Sequence, residues 1–302
     1  MDGLSMAATQ MAATLDGVVK RYGRVTALDG IQLGIERGGV TALLGANGAG
    51  KTTAVSLLLG LIRPDAGRVE VLNDSPHRLA TRRRVGVMLQ SAALPDVLRV
   101  GELLQLAASY YPAPRPLADV AQLAGVGDLL GRPYGKLSGG QQRRVQFALA
   151  ICGQPELLFL DEPTTGLDVQ SREAVWSVIR ALVASGCAVL LTTHYLEEAE
   201  ALAHRVAVVA HGRIVTAGTV DEIRAQGVRR RIRCITHLSA EQVRTWPGVS
   251  GAAVQAGRLE VEATAAEPVV RRLLEADALL SELEVRRAGL AEAFLQITRE
   301  AA

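Results

Sequence analysis

The sequence runs to 302 residues, of which 49% are hydrophobic, 21% charged and only 3% aromatic, with a net charge of +2. That length calls for one large or two medium domains around an aliphatic core, and the near-neutral charge gives no global attraction to nucleic acid or membrane. So few rings argue against single-strand nucleic-acid binding by base stacking.

Cys152, Cys187 and Cys234 have no metal-like spacing and sit in apolar surroundings, which fits a reducing compartment. No apolar run approaches the roughly 20 residues of a membrane helix. Asp2 near the start replaces the positive region of a signal peptide, so a soluble, cytoplasmic chain is expected.

Residues 1–12 are small and weakly patterned, and a flexible N-terminus is expected there. Short strands are expected at Leu15–Lys20 and Ile31–Ile35, around a loop holding Tyr22 and Gly23, then at Thr41–Leu44, Arg68–Leu72 and Arg84–Gln90. Helical spacing follows over Leu98–Tyr111 and Leu117–Leu130, with Pro112, Pro114 and Pro116 between them as breakers. Helix Gln141–Cys152 leads to strand Leu157–Leu160, helix Ser171–Ser185, strand Cys187–Thr192 and helix Leu196–Ala203. A hairpin Arg205–Val209/Arg213–Ala217 closes this part.

Strands that are nearly all apolar, alternating with helices, define an α/β fold with a mostly parallel sheet flanked by helices. The stretch 91–143 reads as a helical subdomain inserted into it. After Gly227 the pattern changes. Strands are expected at Arg231–Thr236, Ala252–Gln255, Leu259–Glu262 and Leu283–Arg286, with helices at Val269–Ala276 and Leu290–Thr298. The expected domains are therefore 13–227 and a small α+β unit over 228–302. The run Arg229-Arg230-Arg231 with Arg233 reads as one exposed strand end, with contact to anionic lipid or RNA as the alternative.

One stretch carries the chemistry: Gly45-Ala46-Asn47-Gly48-Ala49-Gly50-Lys51-Thr52-Thr53, the phosphate-binding loop pattern between an apolar strand and a helix-compatible run. Gly45, Gly48 and Gly50 free the backbone to aim N–H groups at a nucleotide triphosphate. The helix start adds its own N–H groups and positive dipole end. Lys51 supplies a compact charge for the β- and γ-phosphates, and the Thr52 hydroxyl can ligate Mg2+. In a chain rich in arginine, the only lysines are Lys20, Lys51 and Lys136, and one of them falls at the phosphate position.

Further elements come in a particular order. Tyr22 precedes the loop, and Gln90 ends a strand. Leu137-Ser138-Gly139-Gly140-Gln141 opens a helix. Leu157-Leu158-Phe159-Leu160-Asp161-Glu162 is an apolar strand ending in two acids, Gly166-Leu167-Asp168 follows, and His194 ends the next strand. Over about Leu15 to Gln226 this resembles the ATP-binding subunit of ABC transporters, a branch of the P-loop NTPases.

The resemblance implies an ATPase that uses ATP and Mg2+. Asp161 and Gln90 would join Thr52 at the metal. Glu162 would be general base, His194 would contact the γ-phosphate, and Tyr22 would stack on adenine. Leu137 to Gln141 would act on the ATP of a second subunit in a head-to-tail homodimer or paired dimer, with Asp168 at the interface. A polytopic membrane permease would dock near Gln90, with Ser91–Val100 as the candidate contact. That would place the chain at the inner face of the membrane.

The phrases Glu162 to Asp168 and Thr192 to Glu200 resemble the bacterial drug-resistance and antibiotic-export branch, so multidrug, antibiotic or lipid-like cargo is expected. At the tail, Ala291 and Ala293 depart from that branch's frequent acid and valine. An importer subunit, or a soluble ABC ATPase acting on nucleic acid or ribosomes, are the alternatives. The single phosphate loop and the absence of sustained heptads weigh against the soluble one, and no nucleic-acid partner is expected.

Overall fold

A computed structural model describes residues 11–90, 93–226, 230–287 and 289–300. The chain divides into two compact units between Ala217 and Gly218, earlier than the boundary expected at 227–228.

The first unit opens with an antiparallel hairpin of β1 (Met11–Tyr22) and β2 (Val25–Glu36). β3 (Val40–Leu44) leads into α1 (Lys51–Leu58). β4 (Ala66–Val71) returns to pair antiparallel with β1, giving a three-stranded sheet in the order β2-β1-β4. A short α2 (Leu79–Arg82) precedes β5 (Val85–Met88). The helical insert contributes α3 (Val100–Ala108), α4 (Leu117–Leu123) and the start of α5 (Gly139–Ile151). Then β6 (Leu157–Asp161), α6 (Val169–Ala184), β7 (Ala188–Thr192) and α7 (Leu196–Leu202) alternate. β8 (Arg205–Ala210) and β9 (Arg213–Thr219) finish the main sheet, whose order is β5-β6-β7-β3-β8-β9. The ladders joining β5 through β8 are parallel.

This sheet separates two apolar cores, and its strands feed both alternately. Leu157 and Phe159 of β6 pack into the core that β1, β2 and α1 cover, whereas Leu158 and Leu160 pack into the core shared with α3, α4, α5 and α6. In β7, Ala188 and Leu190 take the first side and Val189 and Leu191 the second. A strand covered on both faces has no polar side, which is why these segments read as unbroken apolar runs. Each large side chain buried this way contributes about 1.5–3 kcal/mol.

Three local features differ from expectation. Residues 1–10 of the expected flexible N-terminus lie outside the described residues, but Met11 and Ala12 belong to β1. Ala12 is 1% exposed, and its carbonyl accepts from the Leu72 N–H at 2.7 Å. The helix expected over Leu117–Leu130 stops at Leu123. Gly125 turns to φ +60°, its N–H reaches the Gln122 carbonyl at 3.2 Å, and the Val126 N–H reaches that of Ala121 at 2.9 Å. That is a Schellman stop, with Val126 buried behind it. The remainder of the expected span is a 3-10 turn at Gly127–Leu129.

The second unit contains α8 (Val220–Gln226), β10 (Arg230–Ile235), α9 (Ala240–Arg244), β11 (Val249–Gln255), β12 (Arg258–Ala263), α10 (Ala266–Ala276), β13 (Ser281–Arg287) and α11 (Leu290–Glu300). Its four strands are antiparallel in the order β11-β12-β10-β13. This is the split βαββαβ arrangement of ferredoxin-like units. Ile232, Cys234, Leu259, Val261, Val269 and Leu273 form its core. α8 packs on α11, and Ile223, Leu290 and Ala293 are all fully buried, which assigns α8 to this unit and sets the division before it. Of the arginine run, Arg229 lies outside the described residues. Arg231 pairs with Glu292 at 3.9 Å and Arg233 with Glu260 at 3.4 Å.

All three cysteines are buried and free. Burial pushes the Cys152 thiol up to about 11 and the Cys187 thiol up to about 12, and it raises Cys234 as well. No helix of the described residues is long and apolar enough to cross a membrane.

Candidate active site

Parallel strands end on one edge of their sheet, and the carboxyl ends of β3, β5, β6 and β7 bring the expected residues there. At the end of β3 the glycine loop turns into α1. Gly50 caps that helix at φ +111°, where a Cβ would lie 2.7 Å from Leu28 Cδ2 and 2.8 Å from the Ala27 carbonyl oxygen. At Gly45 a Cβ would lie 2.5 Å from the Val209 carbonyl oxygen. Both positions admit only glycine.

The Lys51 ammonium, half-buried, donates to the Gly45 carbonyl at 2.7 Å and the Ala46 carbonyl at 3.0 Å. Burial lowers its pKa below the ordinary lysine value, and the charges of Glu162 and Asp161 oppose that shift. Thr52 is exposed in the first turn of α1, and Thr53 beside it is partly exposed.

The tips of β5, β6 and β7 form one hydrogen-bonded cluster. Asp161 Oδ1 accepts from the Thr192 hydroxyl, and Oδ2 from the Gln90 N–H at 3.4 Å. Glu162 Oε2 accepts from Gln90 Nε2 at 3.2 Å and from the Thr165 hydroxyl at 3.4 Å. Its Oε1 lies 3.0 Å from His194 Nδ1. Glu162 itself adopts φ +51°, a conformation costing a non-glycine residue about 1–3 kcal/mol. Gln90, Asp161, Glu162 and His194 are thus brought together as the sequence predicts.

The turn at Leu137–Gln141, hereafter the signature turn, has a different environment. Ser138 Oγ accepts from the Gln141 N–H at 3.3 Å, and Gln141 Oε1 accepts from the Ser138 N–H at 3.0 Å. This capping box starts α5 at Gly139, two residues before the expected start. Leu137 is buried beside it, and a Cβ on Gly140 would touch the Gly166 carbonyl oxygen at 3.4 Å. Asp168 caps α6 by accepting from the Ser171 N–H at 2.7 Å, a bond that holds its carboxyl below the usual range. Tyr22 ends β1 half-exposed, with the Lys20 ammonium 5.7 Å from its ring centroid. Among the described residues, no bond or ring contact links Tyr22, the signature turn or Asp168 to the glycine loop.

Two residues of the site escape a reading of motifs. Arg143 of α5 is 7% exposed and donates to the carbonyls of Leu89, Gln90, Asp161 and Glu162. The available signal was its register: Phe147 and Ile151, four and eight residues on, are buried. Glu198 of α7 is fully buried, and its Oε1 accepts from the Thr164 hydroxyl at 2.8 Å and from Trp176 Nε1 at 3.1 Å. Within an acidic run it looks like a solvated face.

This is the core of a P-loop nucleoside triphosphatase with a helical insert. The ABC transporter family description matches residues 28–165. The chain is 41% identical to the daunorubicin resistance ATP-binding protein DrrA3 of Streptomyces coeruleorubidus, over 95% of this chain and 96% of that protein. It is 38% identical to the Nod factor export ATP-binding protein I of Ralstonia nicotianae, over 70% of this chain and 68% of that one. A solved ATP-binding subunit of an ABC transporter superposes with a TM-score of 0.68 at 27% identity, covering 72% of this chain and 93% of that one. The chain belongs to the ATP-binding proteins of ABC transporters, ATPases coupled to transport.

Proposed function

We propose that the chain powers an export pump by hydrolysing ATP between two such subunits arranged head to tail beneath a separate membrane protein. The observation carrying this reading is the cluster of Gln90, Asp161, Glu162 and His194 at the strand ends that also present the glycine loop. The drug-resistance and export names of the relatives support the direction of transport.

In this reading the loop amides and Lys51 hold the ATP phosphates, and Tyr22 stacks on adenine. Glu162 takes a proton from the attacking water as its oxygen bonds to the γ-phosphorus and the bond to the β-bridging oxygen breaks. ADP and phosphate result. Gln90 and His194 orient the Glu162 carboxylate through its two oxygens.

The residues present fit Mg2+. Asp161, Thr52 and Gln90 offer hard oxygen donors, and Asp161 is the one carboxylate among them. That suits an ion held by one carboxylate, a hydroxyl and substrate phosphates. Magnesium there would neutralise charge on the phosphates.

The signature turn supports the second subunit. It is a second glycine-bearing helix start, a natural phosphate site, and it makes no bond to its own chain's glycine loop among the described residues. Asp168, on the adjoining segment, would lie at the interface.

The membrane partner fits an apolar cleft of about 330 Å³ lined by Val87, Leu89, Leu94, Pro95, Leu106 and Tyr110, beside Gln90. Leu94 and Pro95 belong to the expected contact stretch, of which residues 91–92 lie outside the described residues. We assign 11–217 to the ATPase domain and 218–302 to an accessory domain.

The test is a tagged Glu162→Gln chain, recovered from its native cell with ATP and identified with whatever accompanies it. A polytopic membrane protein recovered only with ATP supports the reading. Ribosomes or nucleic acid as the sole companions would overturn it.

A further inference from the structure

Arg143 enters the site from the signature helix α5, and its guanidinium bridges two strand ends. Nη1 donates to the carbonyls of Leu89 at 3.0 Å and Gln90 at 3.1 Å, beyond β5, and to Gln146 Oε1 at 2.9 Å. Nη2 donates to the carbonyl of Asp161 at 2.7 Å, at the tip of β6, and to that of Glu162. The bonds go to the peptide groups beneath the catalytic side chains, not to their carboxylates.

The arrangement has three physical consequences. It gives a partner to the carbonyls of Leu89, Gln90 and Asp161 at the strand ends, and a second one to that of Glu162, which also accepts from the Thr165 N–H at 3.3 Å. It keeps the positive-φ peptide at Glu162 from relaxing. It also places a cation within electrostatic reach of Asp161, Glu162 and Glu198, so that those charges oppose the loss of proton affinity that burial imposes on the guanidinium. Only a planar fork with separated N–H groups reaches both strand ends at once; an ammonium on a shorter reach holds one.

We infer that Arg143 is a positioning residue for hydrolysis. It fixes the Gln90, Asp161 and Glu162 backbones relative to one another, and it ties them to the helix opened by Ser138 and Gln141. The inference rests on the ATPase reading above. It separates catalysis from nucleotide binding, because among the described residues Arg143 makes no hydrogen bond to the Gly45–Lys51 loop, whose carbonyls at Gly45 and Ala46 accept from Lys51 and at Ala49 from the Gly212 N–H.

The experiment compares the full-length wild type with Arg143→Lys and Arg143→Ala. ATP affinity is measured with a fluorescent nucleotide, turnover by phosphate release, and folding by circular dichroism. Arg143→Lys should bind ATP as the wild type does, with KM little changed and kcat lower by about 10²-fold, the cost of a small misplacement of reacting groups. Millimolar guanidinium should restore part of kcat to Arg143→Ala and nothing to the wild type. If Arg143→Lys turns over like the wild type, or if its ATP affinity falls in step with kcat, the proposal is wrong. A wild type that binds ATP without any turnover would overturn the ATPase reading and this inference together, whereas an active wild type isolates the failure to Arg143.

Discussion

His194 Nδ1 stands 3.0 Å from Glu162 Oε1, across the tips of two neighbouring parallel strands. The carboxylate side chain is 18% exposed and the imidazole 53%, so the carboxylate is sheltered and its partner faces solvent. With a carboxylate as acceptor, Nδ1 carries the proton, which leaves Nε2 free to accept from an O–H such as that of a water. Glu162→Gln keeps the shape of this contact and removes the proton acceptor. Phosphate release should fall by at least about 10²-fold while ATP still binds. Near-normal turnover would remove Glu162 from the base role.

Lys51 holds its charge between the carbonyls of Gly45 and Ala46. Hydrogen bonds from a charged group contribute about 1.5–3 kcal/mol. Lys51→Ala should therefore weaken ATP binding by about 10- to 100-fold in titration calorimetry, at 1.4 kcal/mol per factor of ten. Unchanged affinity would mean the loop does not hold phosphates.

Gly45→Ala forces a methyl group to 2.5 Å from the Val209 carbonyl oxygen. Backbone must move, at about 1–3 kcal/mol. The thermal midpoint should drop and ATP affinity should fall with it, because the displaced peptide belongs to the phosphate loop.

Glu198 offers a contrast between two substitutions. Its Oε1 serves both Thr164 and Trp176, and its Oε2 is buried without a hydrogen-bond partner among the described residues. Glu198→Gln keeps the acceptor and removes a buried carboxyl, so denaturant midpoints should stay level or rise. Glu198→Ala leaves two buried donors unsatisfied and should cost about 2–4 kcal/mol. Equal midpoints for the two variants would count against the bonding described.

The second unit should be acid-sensitive. Asp277 accepts from the Thr236 hydroxyl at 2.6 Å, from the His237 N–H at 2.8 Å and from the Leu279 N–H at 2.9 Å, which holds its carboxyl at about 2. A carboxyl whose folded value lies below its unfolded value of 3.8 stabilises the fold above that value. The contribution is lost as pH falls from about 4 through about 2. Asp277→Asn should flatten the dependence of stability on pH across that window in chemical denaturation.

Much of the first unit is legible because its backbone is fixed locally. An added Cβ at Gly45 or Gly50 would collide with a close neighbour, and β6 and β7 are apolar on both faces from Leu157 to Leu160 and from Ala188 to Leu191. The gaps lie where long-range burial decides. Arg143 sits in a basic pair and Glu198 in an acidic run, and only tertiary packing shows that each points inward. The short α9 has no counterpart among the expected elements, although Ser239 and Gln242 form a capping box with the same spacing as Ser138 and Gln141. Gly125 marked the end of α4, but periodicity carried the expected helix past it.

The three thiols are built-in reporters of partial opening. Cys152 and Cys187 belong to the first unit and Cys234 to the second, and in the closed fold all three are buried and protonated near neutral pH. Alkylation can proceed only through fluctuations that expose a thiol. The labelling rate at each site therefore reads the opening free energy of its own unit in the intact wild-type chain. One mass-spectrometric time course would show whether nucleotide stiffens the ATPase core alone or the second unit with it.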